Sequence, residues 1–370
     1  LTGIMLLESQ TGTFSLAATL ADPPRTTMAA WGAALMVVGA LSKSAIVPFQ
    51  YWLPGAMAAP TPVSAFLHAA AMVKAGIFLI AVLTPAFVEL PWWRWGLVSL
   101  GIVTMLLGAV RALRQLDIKV LLAHGTVSQL GLLVTVLGIG TQSAMQAGLA
   151  LLAAHAVFKA ALFMVVGAVD RATGTRDLRE LGGLARRMPL AAGAAIVAAA
   201  SMAGIPPAIG FLGKEAALAA AIDEGAPAAL GWIAFVGIAV GAALTVAYSL
   251  RLVVGTFFGA LVTEPKRRSP WLVVVVELEV EEGGVPHWTS HAGKQLLCLR
   301  PRRFLVPLLL EVMHVLIFLG LVGCMSFLTP CMPLSRQEGG RVSVASRVSG
   351  DTGAGAAGAG CGAVAADVVD

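Results

Sequence analysis

Seven ionisable residues stand where an apolar chain would not ordinarily tolerate them: Lys43, His68, Lys74, His124, His155, Lys159 and Lys214. Each falls inside or at the edge of a long hydrophobic run. A lysine at the centre of a bilayer-spanning helix costs about 2.5 to 3.5 kcal/mol on insertion scales, so such residues face a bundle interior or water and mark ion or proton paths. An amine and an imidazole share one ability, the reversible exchange of a proton. His155 and Lys159, four residues apart, occupy one face of a helix about one turn apart and can pass a proton through a water. The competing structural explanation is snorkelling, in which a lysine near a helix end sends its ammonium to the headgroups. It competes for Lys43 and Lys214, which lie near the ends of their runs. Lys74 and Lys159 sit in the middle third of theirs, where a four-carbon stem covers little of the distance. His68 lies near the start of its run and six residues before Lys74, a spacing that places the two on different faces of one helix. His124, next to a charged loop, reads first as a solvated histidine.

The elements that must carry these residues are hydrophobic helices. Of 370 residues, 58% are hydrophobic and 12% charged, whereas soluble domains carry about 25% charged residues. Mean hydropathy is +0.86. Spans of roughly 20 apolar residues, enough for a hydrocarbon core of about 30 Å, are expected near 28–46, 62–84, 91–110, 117–138, 143–169, 189–218 and 228–259. An eighth run covers 303–330, and residues 1–8 read as the tail of an earlier helix. The fold class is an all-α polytopic transmembrane bundle. Pro48, five residues after Lys43, and Pro206 and Pro207, ahead of Lys214, take backbone donors from their helices. Those helices are expected to be broken, and discontinuous helices at membrane depth accompany ion sites.

Charge placement orients the bundle. Loops 109–119 (Arg111, Arg114, Lys119), 169–189 (Arg171, Arg176, Arg179, Arg186, Arg187) and 260–270 (Lys266, Arg267, Arg268) hold eleven basic residues, and the intervening loops hold two, Arg25 and Arg94. The positive-inside rule makes the first set cytoplasmic. The net charge of +5 is thereby explained by orientation, and neither nucleic acid nor an acidic ligand is called for. Cys298, Cys324, Cys331 and Cys361 lack metal-ligand spacing, so no disulfide, metal or other cofactor is expected. Ser128 and His155 lack the spacing of a hydrolase, and the chain reads as a transporter subunit rather than an enzyme.

Four stretches carry a family resemblance: LSKSAIVPFQYWLPGAMAAPTPVSAFLHAAAMVKAGIFLI, LDIKVLLAHGTVSQLGLL, HAVFKAALFMVVGAVDRATGTRDLRELGGL and AGIPPAIGFLGKEAAL. In this order they resemble the proton-translocating transporter family, which comprises the antiporter-like subunits of respiratory complex I and the A subunit of Mrp-type Na+/H+ antiporters. MVKAG, with Lys74, and DRATGTRDLRELGGL are more similar to the Mrp branch. The resemblance covers residues 1–263. It implies a unit of fourteen helices built on two inverted five-helix repeats, and cation/proton antiport through a hydrated line of Lys43, His68, Lys74, His155, Lys159 and Lys214. Lys43 in LSKSA then matches a broken-helix lysine that pairs with a glutamate, expected on a helix upstream of Leu1. Lys159 in HAVFK matches the central relay, flanked by His155, and Lys214 in GFLGKE the exit-side lysine. Partners implied are the other membrane subunits of the antiporter, protons, Na+ or another monovalent cation, and the lipid bilayer of the cell's inner membrane. A complex I type subunit and a non-conducting scaffold are the rival expectations.

Past residue 263 the text changes. Residues 264–302 form an anomalous charged segment, 303–330 a possible further span, and 331–370 a Gly/Ala-rich tail expected to be disordered. The chain opens without methionine, basic n-region or cleavage site and is expected to begin within a longer protein.

Overall fold

A computed structural model describes residues 1–265 apart from 224 and 226. The expected span 303–330, the tail and the four cysteines lie outside the described residues, as do Lys266, Arg267 and Arg268. Within them the chain is helical, with no strand and one isolated bridge, Asp117 to Asp177.

The helices follow the apolar runs closely. They are α1 (Thr2–Thr11), α2 (Leu16–Ala21), α3 (Thr27–Lys43), α4 (Trp52–Gly55), α5 (Thr61–Ala69), α6 (Met72–Phe87), α7 (Trp93–Arg114), α8 (Ile118–Ile139), α9 (Gln142–Thr173), α10 (Pro189–Ala203), α11 (Ile209–Ala221) and α12 (Ala228–Phe257). Local chemistry sets their ends. The Asp117 carboxylate caps α8 by accepting from the backbone N–H of Lys119 and Val120 at 2.7 and 3.2 Å, and Thr141 caps α9 through the N–H of Ala144 at 3.2 Å. At the end of α10 the chain turns through Gly204, whose φ of 85° suits glycine and few other residues. Among the described residues, five stretches are long and apolar enough to cross a membrane: 61–87, 93–114, 118–139, 142–173 and 228–257.

Three interruptions divide these runs. The chain between α3 and α4 contains Pro48, and that between α10 and α11 contains Pro206 and Pro207, as the missing donors require. The third, at Ala70 and Ala71, splits the run 62–84 into α5 and α6 with no proline to announce it. This corrects the reading of His68 and Lys74 as two faces of one helix: they belong to two helices, and Lys74 lies in the first turn of the second.

Helix α8 is the centre of the bundle, with 94% of its apolar window buried against 39–56% for the other four spans. A helix apolar all round must be enclosed all round. Small residues let α7 approach it. A Cβ added at Gly101 would stand 2.6 Å from the backbone nitrogen of Thr135, one at Gly108 2.6 Å from that of Ser128, and one at Gly131 2.5 Å from that of Met105. The two backbones therefore touch at three levels, as membrane helices do when side chains are absent from the seam.

The loops sort to two ends. At one, Ile118 N–H donates to Arg176 O at 3.0 Å and Leu178 N–H to Leu116 O at 2.9 Å. There Arg176 also pairs with Asp117 at 3.3 Å, and Gly183 N–H reaches Phe258 O at 3.2 Å. Arg179 grips Asp177 through three hydrogen bonds of 2.5 to 3.1 Å, which hold that exposed carboxyl below its usual range. At the other end Arg25 lies 4.0 Å from Glu89, Arg94 donates to Gly225 O at 3.2 Å, and Ser143 donates to Asp223. Loops 109–119 and 169–189 thus share one end with the described start of 260–270, the arrangement that charge counting leads one to expect. Lys119 departs from that count, because it lies buried inside the first turn of α8. With the four native cysteines replaced by serine, Arg186→Cys should resist an impermeant thiol reagent applied outside whole cells, and Asp22→Cys should react. The reverse labelling would invert the orientation.

Candidate functional site: a buried cationic axis

Lys74, Lys159 and Lys214 are 6%, 0% and 6% exposed, and His68 and His155 are 0% and 2% exposed. What holds the ammonium groups in place is backbone carbonyl. Lys74 Nζ donates to Ala69 O, the last residue of α5. Lys214 Nζ donates to Met202 O at 2.8 Å and Ala203 O at 3.0 Å, the last two residues of α10. The final carbonyls of a helix have no intrahelical donor and carry the negative end of its dipole, so a cation belongs there. Helix breaks and lysines therefore come together for a physical reason: each break exposes the acceptors that make the buried ammonium tolerable. Lys159 differs. Its Nζ donates at 3.0 Å to Leu122 O within unbroken α8, a carbonyl that also accepts from Thr126 Oγ1 at 3.0 Å. Among the described residues none of these lysines has a carboxylate within ion-pair distance.

The histidines sit between them. His68 stacks on Phe163 of α9, ring centres 4.6 Å apart. His155 meets Phe158 edge-on at 5.4 Å. Neither imidazole has a hydrogen-bond partner on either nitrogen among the described residues. His155 lies within electrostatic reach of Lys74, Lys159 and His68, and His68 within reach of Lys159. Four of the six residues singled out for a proton path are thus linked through His155, which lies within electrostatic reach of the other three. Lys214 lies on α11, which packs against α9: a Cβ at the adjacent Gly213 would lie 3.0 Å from Leu151, one turn before His155. Lys43 closes α3 and is not among the buried cations. Its neighbour Ser44 is buried and donates to Val73 O at 2.7 Å, one residue before Lys74.

Two features escape the sequence reading. Lys119, counted with the loops, is 2% exposed. It donates to Ala59 O just ahead of α5 and lies within electrostatic reach of His68. The signal is present in the sequence, since an Asp117 N-cap places Lys119 inside the helix. The second is a polar patch between α8 and α12, where Gln129 Nε2 donates to Thr245 Oγ1 and Tyr248 Oη, both at 3.2 Å. Gly125 separates it from the axis: a Cβ there would stand 3.1 Å from the Tyr248 ring and 3.3 Å from Lys159 Nζ. His124 also departs from expectation, being 8% exposed rather than solvated.

A bundle with broken helices, an enclosed central helix and buried lysines and histidines with no carboxylate partner among the described residues defines a polytopic membrane protein with a buried cationic axis. Comparison with known proteins places it further. Residues 1–245 match the NADH:quinone oxidoreductase/Mrp antiporter transmembrane family, and the chain belongs to that family. It is 47% identical over 225 residues to a probable K(+)/H(+) antiporter A/B subunit of Rhizobium meliloti, an alignment covering 61% of this chain and 22% of that one. It is 46% identical over 230 residues to the Na(+)/H(+) antiporter A subunit of Alkalihalophilus pseudofirmus, covering 58% and 29%. A solved Mrp complex from Dietzia sp. superposes with a TM-score of 0.66 at 46% identity, over 69% of this chain and 29% of its counterpart. The chain thus spans less than a third of the length of these relatives. The all-α fold and the likeness to the Mrp A subunit expected from the motifs agree with these matches.

Proposed function

We propose that this chain is the proton-relaying part of one subunit in a multisubunit monovalent cation/proton antiporter of the plasma membrane, working with other membrane subunits and exchanging protons for Na+ or K+. The observation that carries this reading is the cluster of Lys74, His68, His155 and Lys159. All four titratable groups are buried, His155 lies within electrostatic reach of the other three, and both imidazoles lack a protein partner among the described residues. A buried polar group without a protein partner calls for ordered water. Water between an amine and an imidazole makes a proton wire. In this reading Lys43 stands at one end beside the first break, Lys214 at the other beside the last, and Lys159, held on the central helix, connects them. No step requires a redox cofactor, and the family's complex I branch is the second reading, because the same wire serves there beside an electron-transfer module.

Inverted vesicles carrying the assembled complex separate the two. Under an imposed proton gradient, added Na+ or K+ should release protons from the lumen within the mixing time of the assay. Flux that ignores both cations but follows electron delivery to quinone would transfer the chain to the other branch.

A further inference from the structure

The axis does not account for a second feature, an open cleft of about 360 Å³ at the end of α7, lined by Tyr51, Pro54, Arg111, Arg114, Gln115 and His124. Its walls come from three elements. Tyr51 and Pro54 belong to the segment after the first helix break, Arg111, Arg114 and Gln115 to the last turn and cap of α7, and His124 to α8. None of the six is acidic. The Arg111 guanidinium lies over the Tyr51 ring, 5.2 Å from its centre, which fixes the fork's plane without using its N–H donors. Neither Arg111 nor Arg114 has a carboxylate partner among the described residues. Asp117, the acid nearest in sequence, is committed to capping α8 and to Arg176. His124 is more than nine-tenths buried, opens onto the cleft, and its ring has no hydrogen-bond partner among the described residues.

Two guanidinium forks, an amide and an imidazole line one space without an acid, and each can supply N–H donors. Guanidinium forks match phosphate oxygens two at a time, which a spherical cation or a lone carboxylate oxygen does not exploit. Depth matters too. The cleft opens at the end of the bundle that carries the basic loops, at the level where a span meets headgroups. Basic pockets between helices at that level are suited to lipid phosphates. We propose that this cleft is a phosphate-binding site, taking the phosphodiester of an anionic phospholipid headgroup or free phosphate, with Arg111, Arg114 and His124 as its donors. A bound phosphate would join the segment after the first break to the end of α7 and to central helix α8, and so brace the break beside Lys43.

The test is native mass spectrometry of the full chain in detergent micelles doped with phosphatidylglycerol or phosphatidylcholine, with and without inorganic phosphate. Wild-type protein should retain phosphatidylglycerol in preference to phosphatidylcholine. Arg111→Gln and Arg114→Gln should each bind on the order of tenfold more weakly, the loss expected for one charge-assisted contact. Arg114 makes no contact with Tyr51 comparable to that of Arg111, so its variant keeps the test alive if Arg111→Gln fails to fold. Retention that inorganic phosphate leaves untouched identifies the lipid headgroup as the ligand. Displacement by inorganic phosphate, with phosphate itself bound, identifies the free anion at the same site. Equal retention by wild type and both variants would overturn the proposal. So would an equal loss in Arg186→Gln, at the same end but outside the cleft, since that would reduce the effect to general charge.

Discussion

Lys159→Ala should lower cation-dependent proton flux by about two orders of magnitude, the smaller end of what a positioned proton-transfer group contributes, while the protein accumulates and assembles as before. Folding should be spared because a buried lysine is itself unfavourable, by about 2.5 to 3.5 kcal/mol on insertion scales, and alanine removes that burden. The acceptor left behind is not orphaned, since Leu122 O keeps its bond from Thr126 Oγ1 at 3.0 Å. Lys159→Arg should fail equally. It retains the positive charge against the same carbonyl, yet a guanidinium does not release its proton in a protein. The pair of variants therefore separates charge from exchange. Proton flux in inverted vesicles is the readout, with protein level measured by blot. Near-normal flux in the arginine variant would show that position 159 acts as a fixed charge. Near-normal flux in the alanine variant would take it out of the path.

Lys159 is legible in the sequence because its run is long, uninterrupted and apolar on both sides, so no helix end lies within reach of its side chain. Proline-marked breaks are legible for a similarly direct reason, since Pro48, Pro206 and Pro207 have no N–H to give a helix. The break at Ala70 and Ala71 leaves no such mark. Alanine is the best helix former, and what ends α5 there is tertiary: Lys74 takes the carbonyl of Ala69, and α6 is drawn against α3. Periodicity in a window of alanines therefore indicates one helix where there are two, and Lys74 looks central when it lies beside a break. Lys119 and His124 mislead for the opposite reason. The charges that surround them in the sequence assign both to water, yet α8 is enclosed along its whole length and carries its polar residues inward with it. Chemistry at Lys43 is legible, but its environment is not, because exposure at the end of α3 depends on what packs there and not on residue type.

The seam between α3 and α6 explains why Lys74 is followed two residues later by glycine, and it supports the second large effect. A Cβ added at Gly76 would overlap Ala40 O and Ser44 Oγ and stand 2.8 Å from the Ala40 carbonyl carbon. Two of the three are backbone atoms of α3, so no rotamer change relieves the clash and the helices must part. Parting them stretches the bond from Ser44 Oγ to Val73 O, now 2.7 Å, which ties the first break to the start of α6. Overpacking a tight interface typically destabilises by about 1 to 3 kcal/mol, and losing a buried hydrogen bond adds roughly 1 kcal/mol. Gly76→Ala should therefore reduce the protein level severalfold and cut the flux of whatever protein remains. Gly39, on α3, is the matched control, because a Cβ there meets nothing within 4 Å. Gly39→Ala should be neutral or slightly stabilising, since alanine is the better helix former by about 1 kcal/mol. Ser44→Ala removes only the hydrogen bond and should fall between the two. Protein level and flux in Gly76→Ala equal to those of Gly39→Ala would mean that the two helices are not in contact at this level, and the link between the first break and Lys74 would fall with it.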